Sequence, residues 1–497
     1  MRDGVQLIAY ADRLGGTIPA VADVVRRRFG DAVTGIHLLP FFTPHDGADA
    51  GFDPVDHTTP DPRLGTWQDV RDVAATHDLV VDVIVNHVSS ESDAFLRFLA
   101  EGEQSPTADL FLTYDRVFPD GASEADLTAI YRPRPGLPFT AYRAGGRQRL
   151  LWTTFTPQQI DIDVRSGAGH AYLVSILDRL GEAGVSMIRL DAAGYAVKRA
   201  GTSCFMTPET FDFIDEIAGL ARERGMTVLV EIHSHFRTQI EIATRVDRVY
   251  DFALPPLVLH LLATGDVDPL LRWIDVRPRN AVTVLDTHDG IGVIDVGADP
   301  DDPARDGLLA PAQIDALVEG IHRNTGGESR EATGAAASNL DLYQVNATFF
   351  AALGSDDERY LLARAVQFLL PGVPQVYYVG ALAGGDDMEL LAETGVGRDI
   401  NRHRYAEAEV DAAFERPVVR ALRALMRLRS LHPAFGGEFR SEGGAGRLVL
   451  AWDSGADRLR LDAIPGEGLV TLEWTEDGAA HRVDALLALA ELDADPA

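Results

Sequence analysis

The chain of 497 residues is 46% hydrophobic and 24% charged, the profile of a folded globular protein rather than a disordered or collagen-like one. Single hydrophobic cores rarely grow that large, so one big domain with appendages is expected. Its 45 basic against 76 acidic side chains leave a formal charge of −31, a field that repels nucleic acid and anionic membrane surfaces, so neither is an expected partner.

Taken in chain order, short β-rich runs at residues 6–10, 35–40, 80–86, 186–191, 228–231, 249–252, 282–286 and 374–378 alternate with amphipathic stretches. Several are continuous apolar runs, as strands buried on both faces require. Thr66 with Asp69 three residues on opens one helix in a capping-box arrangement, and Thr207 followed by Pro208 opens another. Eight β–α pairs predict a (β/α)8 TIM barrel, although a doubly wound open sheet shares the alternation.

Two irregular spans break the rhythm, and both follow strand ends, where loops of this fold build the site. The predicted division is a barrel of residues 1–84, 166–290 and 354–434, an insertion of 85–165 after strand three and another of 291–353 after strand seven. Alternating runs near the end of the chain predict a small antiparallel β domain over 435–497. Cys204 is the only cysteine, so no intrachain disulfide can form, and no apolar stretch reaches the length of a membrane span. With no apolar leader pattern at the start, a cytoplasmic protein is expected.

Three acids fall where predicted strands end: Asp191, Glu231 and, a few residues on, Asp289. Adjacent strands lie about 4.8 Å apart. Acids at the tips of two neighbours can therefore face each other at roughly 5 Å, the spacing of a retaining glycosidase pair. One such group attacks the anomeric carbon while the other protonates the leaving oxygen. The competing reading is that acids at strand ends cap helices or pair with arginines.

The segments VDVIVNH (81–87), IRLDA (188–192), VLVEIH (228–233) and LDTHD (285–289) resemble, in order, the four signature regions of the α-amylase family. ADAGFD (48–53), YRPRPGLP (131–138), FTPQQ (155–159), NLDLYQVN (339–346) and GRDINR (397–402) narrow the resemblance to the sucrose phosphorylases. That resemblance implies Asp191 as nucleophile, Glu231 as acid/base and Asp289 as transition-state stabiliser. Arg189, on the same strand face as Asp191, would hold the nucleophile ionised. His87 and His288 would hydrogen-bond glucose hydroxyls, Asp49 with Arg398 would grip the far side of the ring, and Phe52 would offer an apolar platform. Buried histidines bonded to backbone, and Phe52 as core packing, are the structural alternatives.

For phosphate the resemblance points to Arg134, Tyr195, His233 and Tyr343, and for fructose to Gln159, Asp341 and Gln344. Asp341 and Arg134 do not suit one ligand equally, so the loop over 334–344 is expected to alternate between a fructose-binding and a phosphate-binding arrangement. Asn86 stands where many α-amylases hold calcium, but calcium takes six to eight oxygens and no such set assembles in the sequence, so no metal is expected. No cofactor is expected, because a double displacement needs none. The implied reaction is reversible, retaining conversion of sucrose and phosphate to α-D-glucose 1-phosphate and fructose, by an enzyme that is a homodimer. Phosphorylases acting on sucrose 6'-phosphate, glucosylglycerol or glucosylglycerate, and a sucrose hydrolase or transglucosidase, would use the same three acids. A non-catalytic relative would lack one of them.

Overall fold

Eight short, almost wholly buried runs form the strands β1 (Gln6–Ala9), β2 (Gly35–Leu38), β3 (Asp78–Ile84), β4 (Met187–Asp191), β5 (Thr227–Val230), β6 (Arg248–Asp251), β7 (Ala281–Thr283) and β8 (Val373–Tyr377). All pair in parallel, each with its sequence neighbours, and β8 returns to β1 so that Gln375 stands opposite Gln6. That closure gives the (β/α)8 barrel and excludes the open sheet. The computed structural model describes residues 3–46, 49–133, 136–299, 302, 305–334 and 344–493.

The helices outside the barrel start as their capping residues dictate. Thr66 and Asp69 form the reciprocal box that opens Trp67–Ala74, with the Thr66 amide donating to Asp69 Oδ2 at 2.7 Å. Thr207 accepts from the Thr210 amide to open Pro208–Glu223. Inside the barrel the packing is not purely apolar. Tyr250 donates to Gln375 at 3.0 Å, Gln375 donates to Gln6 at 2.8 Å, and His37 meets Asp82 at 3.0 Å. This polar layer bonds largely to itself, although Gln6 Nε2 and His37 Nδ1 find no partner, and it forms the floor beneath the strand tips.

Three further pieces surround that floor. Between β3 and β4 the chain pairs His87–Ser89 with Gln159–Asp161 and builds a hairpin from Phe139–Ala144 and Arg147–Trp152. Leu112, Val117, Phe118, Ile130 and Trp152 form a small apolar cluster there, separate from the main core, which Cys204 completes from the loop after β4. Between β7 and β8 a second insertion pairs Ile291–Gly292 with Gln344–Val345 and carries the helix Pro311–Asn324. Five antiparallel strands, Glu438–Gly444 through Ala479–Val483, end the chain, and Trp452 Nε1 anchors them by donating to the Leu369 carbonyl at 2.7 Å. Among the described residues, no helix is long and apolar enough to cross a membrane.

The only lysine ties the first insertion to the barrel. Lys198, in the loop after β4, ion-pairs with the buried Asp161 and donates to Asn86 Oδ1 at 2.6 Å. An ammonium thus sits against the asparagine whose position suggested calcium. Lys198→Met is expected to destabilise the protein by about 3–5 kcal/mol, because Asp161 is left as an unpaired buried charge. Denaturant unfolding checks this, and adding Asp161→Asn should recover much of the loss. A single variant as stable as the parent would show that the pair contributes nothing.

Candidate active site

The strand tips carry the acids where the pattern put them. Asp191 is the last residue of β4, Glu231 directly follows β5, and Asp289 lies in the loop beyond β7, which ends earlier than expected, at Thr283. Immediately after Asp191 the chain turns through Ala192 in the left-handed region, with φ of 55°, a conformation that costs a non-glycine residue energy and clusters at functional sites. The turn leads into Ala193–Tyr195, bringing Tyr195 to the same cavity. Gly194 permits this: a Cβ there would lie 2.6 Å from the ring of Phe205.

The cavity encloses about 130 Å³ and is lined by Asp191, Glu231 and Asp289 together with Asp49, Phe52, His87, Tyr195, His233, His288, Gln344 and Arg398. Beneath it lies Arg189, almost fully buried and shared among three carboxyl groups. It ion-pairs with Asp82, reaches Asp191 Oδ1 at 3.1 Å and reaches Glu231 Oε1 at 2.5 Å. Asp191 and Glu231 are close enough to share a side-chain hydrogen bond. The structure therefore joins the two acids in one cluster.

Arg189 acts on Asp191 in the expected direction, but other groups oppose it. Burial and the neighbouring Glu231 push the Asp191 carboxyl well above the ordinary range, and Arg189, divided among three partners, opposes this without overcoming it. The two carboxyl groups thus work against each other's ionisation from the Asp191 side. Asp289 behaves oppositely: burial would raise it, but Arg398 at 2.8 Å, with Arg402 and Arg189 behind, holds it far below the usual carboxylate range. Burial pushes the His288 imidazole down to about 3, so the ring is neutral at physiological pH.

Several contacts differ from those expected. Arg398 points its charge at Asp289, whereas it was expected to act beside Asp49. His87 uses Nε2–H on the Phe52 carbonyl at 2.8 Å, so the backbone-bonded reading holds for that nitrogen even though the ring lines the cavity. Phe52 stacks on His288, ring centroids 4.6 Å apart, and one of its faces is thereby occupied. Gln159, expected to reach fructose, is buried and does not line the cavity. Its amide donates toward Asp49 Oδ2 at 3.4 Å while its carbonyl accepts from Thr156 at 2.8 Å. Arg134, Asp341 and Tyr343, and with them most of the loop expected to alternate, lie outside the described residues.

The alpha-amylase catalytic domain family matches residues 31–254. A sucrose phosphorylase of Bifidobacterium adolescentis is 55% identical over 98% of this chain and 99% of its own length. One from Agrobacterium vitis is 58% identical over 95% and 97%. The chain belongs to the sucrose phosphorylase family. Among solved structures, a sucrose 6F-phosphate phosphorylase from Thermoanaerobacter thermosaccharolyticum superposes with a TM-score of 0.89 at 35% identity, covering 97% of this chain and 98% of that one.

In this member of the sucrose phosphorylase family, one wall of the cavity escaped the sequence reading. Tyr131 stacks on Phe205 at 4.6 Å, Phe205 meets Tyr195 at 4.6 Å, Tyr195 meets Phe155 at 5.1 Å, and Phe155 meets His87 at 5.4 Å. These rings come from three irregular segments, so no periodicity marks them. The one available signal was that Tyr131 and Phe155 open two of the segments that carry the resemblance.

Proposed function

We propose that this protein catalyses the reversible phosphorolysis of sucrose to α-D-glucose 1-phosphate and fructose with retention of configuration. The observation that carries the reading is the Asp191–Glu231 pair, bridged by Arg189 and lining one cavity with Asp289. The family and the identity to sucrose phosphorylases support it. With sucrose bound, Glu231 acts as the general acid and delivers its proton to the fructosyl oxygen while Asp191 attacks the anomeric carbon. Fructose departs and a β-glucosyl ester remains. Phosphate enters, Glu231 takes its proton, and a phosphate oxygen displaces Asp191 from the opposite face, restoring the α configuration.

Asp289, kept ionised by its arginines, faces the positive charge that develops on the ring in both steps. The aromatic wall of Tyr131, Phe155, Tyr195 and Phe205 limits water around the ester, which favours phosphate over hydrolysis. Gln159 braces Asp49, whose carboxylate lines the cavity. A cytoplasmic setting suits the single cysteine, which is buried and unbridged.

Incubating the protein with sucrose and inorganic phosphate and measuring glucose 1-phosphate tests the reading, with the anomer read by NMR. Phosphate-dependent α-glucose 1-phosphate is the expected product. Glucose release indifferent to phosphate would make the protein a hydrolase, and a strong preference for sucrose 6'-phosphate would move the acceptor assignment.

A further inference from the structure

We infer that Asp295 is a positioning residue that keeps His233 as an imidazolium beside the cavity, making the acceptor side selective for an anion. The inference rests on the phosphorolysis reading and goes beyond it by naming the group that sets the charge of the acceptor pocket. His233 follows Glu231 by two residues, and its ring lies flat on Phe252, centroids 3.9 Å apart and planes within 17°. Nδ1 meets Asp295 Oδ2 at 3.1 Å. Asp295 comes from the second insertion, in the short turn Ile294–Val296, and is fully buried.

The hydrogen bonds decide where the protons are. Asp295 Oδ1 already accepts from the Ser234 amide at 3.1 Å and from Gln239 Nε2 at 2.7 Å. With two donors on Oδ1, Asp295 meets the His233 ring as an acceptor, so Nδ1 is the donating nitrogen. Among the described residues the ion pair recorded for Asp295 is the one with His233, and a buried charge of this kind needs a counter-charge. Nε2, at the other end of the ring, is buried and has no protein partner, and His233 lines the cavity.

The charged groups facing the ring favour the cation from every side. Glu231 stands at the end of the same strand, Asp289 in the loop beyond β7, and Asp295 on the insertion, while the nearby Arg398 is neutralised by Asp289. Burial opposes protonation, but these carboxylates outweigh it and raise the imidazole above its ordinary range. A phosphate dianion entering beside three catalytic carboxyl groups is repelled unless a cation receives it. Water and fructose carry no such requirement. One charge relation between two loops therefore separates anionic from neutral acceptors.

The test compares acceptors in Asp295→Asn, which keeps the volume and removes the charge. KM for phosphate should rise about 10- to 100-fold, the loss of one charge-assisted hydrogen bond, with kcat at saturating phosphate little changed. Glucosyl exchange between sucrose and labelled fructose, without phosphate, should stay near the parent rate. Asp295→Glu should recover part of the phosphate affinity. Independently, 15N NMR of the imidazoles, with His233 assigned by its absence in His233→Gln, should find that ring charged at neutral pH in the parent and titrating lower in Asp295→Asn. A neutral His233 in the parent, an unmoved titration, or equal losses with phosphate and fructose would overturn the inference. No glucose 1-phosphate from the parent would instead overturn the phosphorolysis reading, and the NMR titration would still judge the Asp295–His233 relation.

Discussion

Asp191→Ala is expected to abolish glucosyl transfer to phosphate, water and fructose alike, by about 10⁴-fold or more. The reason is chemical: without this carboxylate there is no oxygen to form the glucosyl ester, and a direct attack by phosphate would have to come from the face that Asp191 occupies. The uniformity across acceptors is the diagnostic part, since a residue of the acceptor pocket would spare at least one of them. The substitution removes one of three carboxyl groups that share Arg189 and leaves it paired with Asp82 and Glu231, so the fold should survive. Circular dichroism checks the fold, and product assays with each acceptor check the loss. Turnover within about tenfold of the parent with any acceptor would remove Asp191 from the nucleophile's role.

Glu231→Gln should slow sucrose cleavage by about 10²- to 10⁴-fold, the contribution of a positioned general acid. α-D-Glucosyl fluoride, whose leaving group needs no proton, should keep far more of its first-step rate. The pH profiles should differ in a defined direction. In the parent, cleaving sucrose needs a proton on the general acid, so turnover falls as the pH rises. The glutamine variant has no such acid to lose, so its alkaline limb on the fluoride should disappear. Because the Glu231 charge is one cause of the raised Asp191, its removal lowers the pH at which the nucleophile ionises, and the acid limb should move down with it. Equal losses on sucrose and fluoride would count against Glu231 as the proton donor.

What was legible in the sequence follows from how each part is held. The barrel strands could be read because each is a short run of Val, Ile and Leu buried on both faces, with acids or turn residues at its end. At the C-terminus the three inner strands alternate visibly, whereas the flanking strands Glu438–Gly444 and Ala479–Val483 are largely exposed and leave little pattern. The acids were found because they stand inside strand-linked motifs. Their charge balance was not, since it depends on Arg189 being divided among Asp82 within β3, Asp191 at the end of β4 and Glu231 just after β5. Phe205 was invisible for another reason: it is flanked by Cys204 and Met206, both with positive φ, in a loop that only the folded chain can hold. Asp295 likewise acquires meaning only when the insertion brings it to His233.

The separate apolar cluster of the first insertion has a dynamic consequence. Leu112, Val117, Phe118, Ile130 and Trp152 pack with Cys204 and not with the barrel core, so this region can loosen as its own cooperative unit while the eight strands remain intact. Cys204 adjoins Phe205 in the chain, so such an opening would carry the aromatic wall with it and leave the carboxyl pair on its rigid strand tips. Amide exchange should therefore be faster in this unit than in β4 and β5, and slower once a sugar fills the cavity: the enzyme would breathe on one side only.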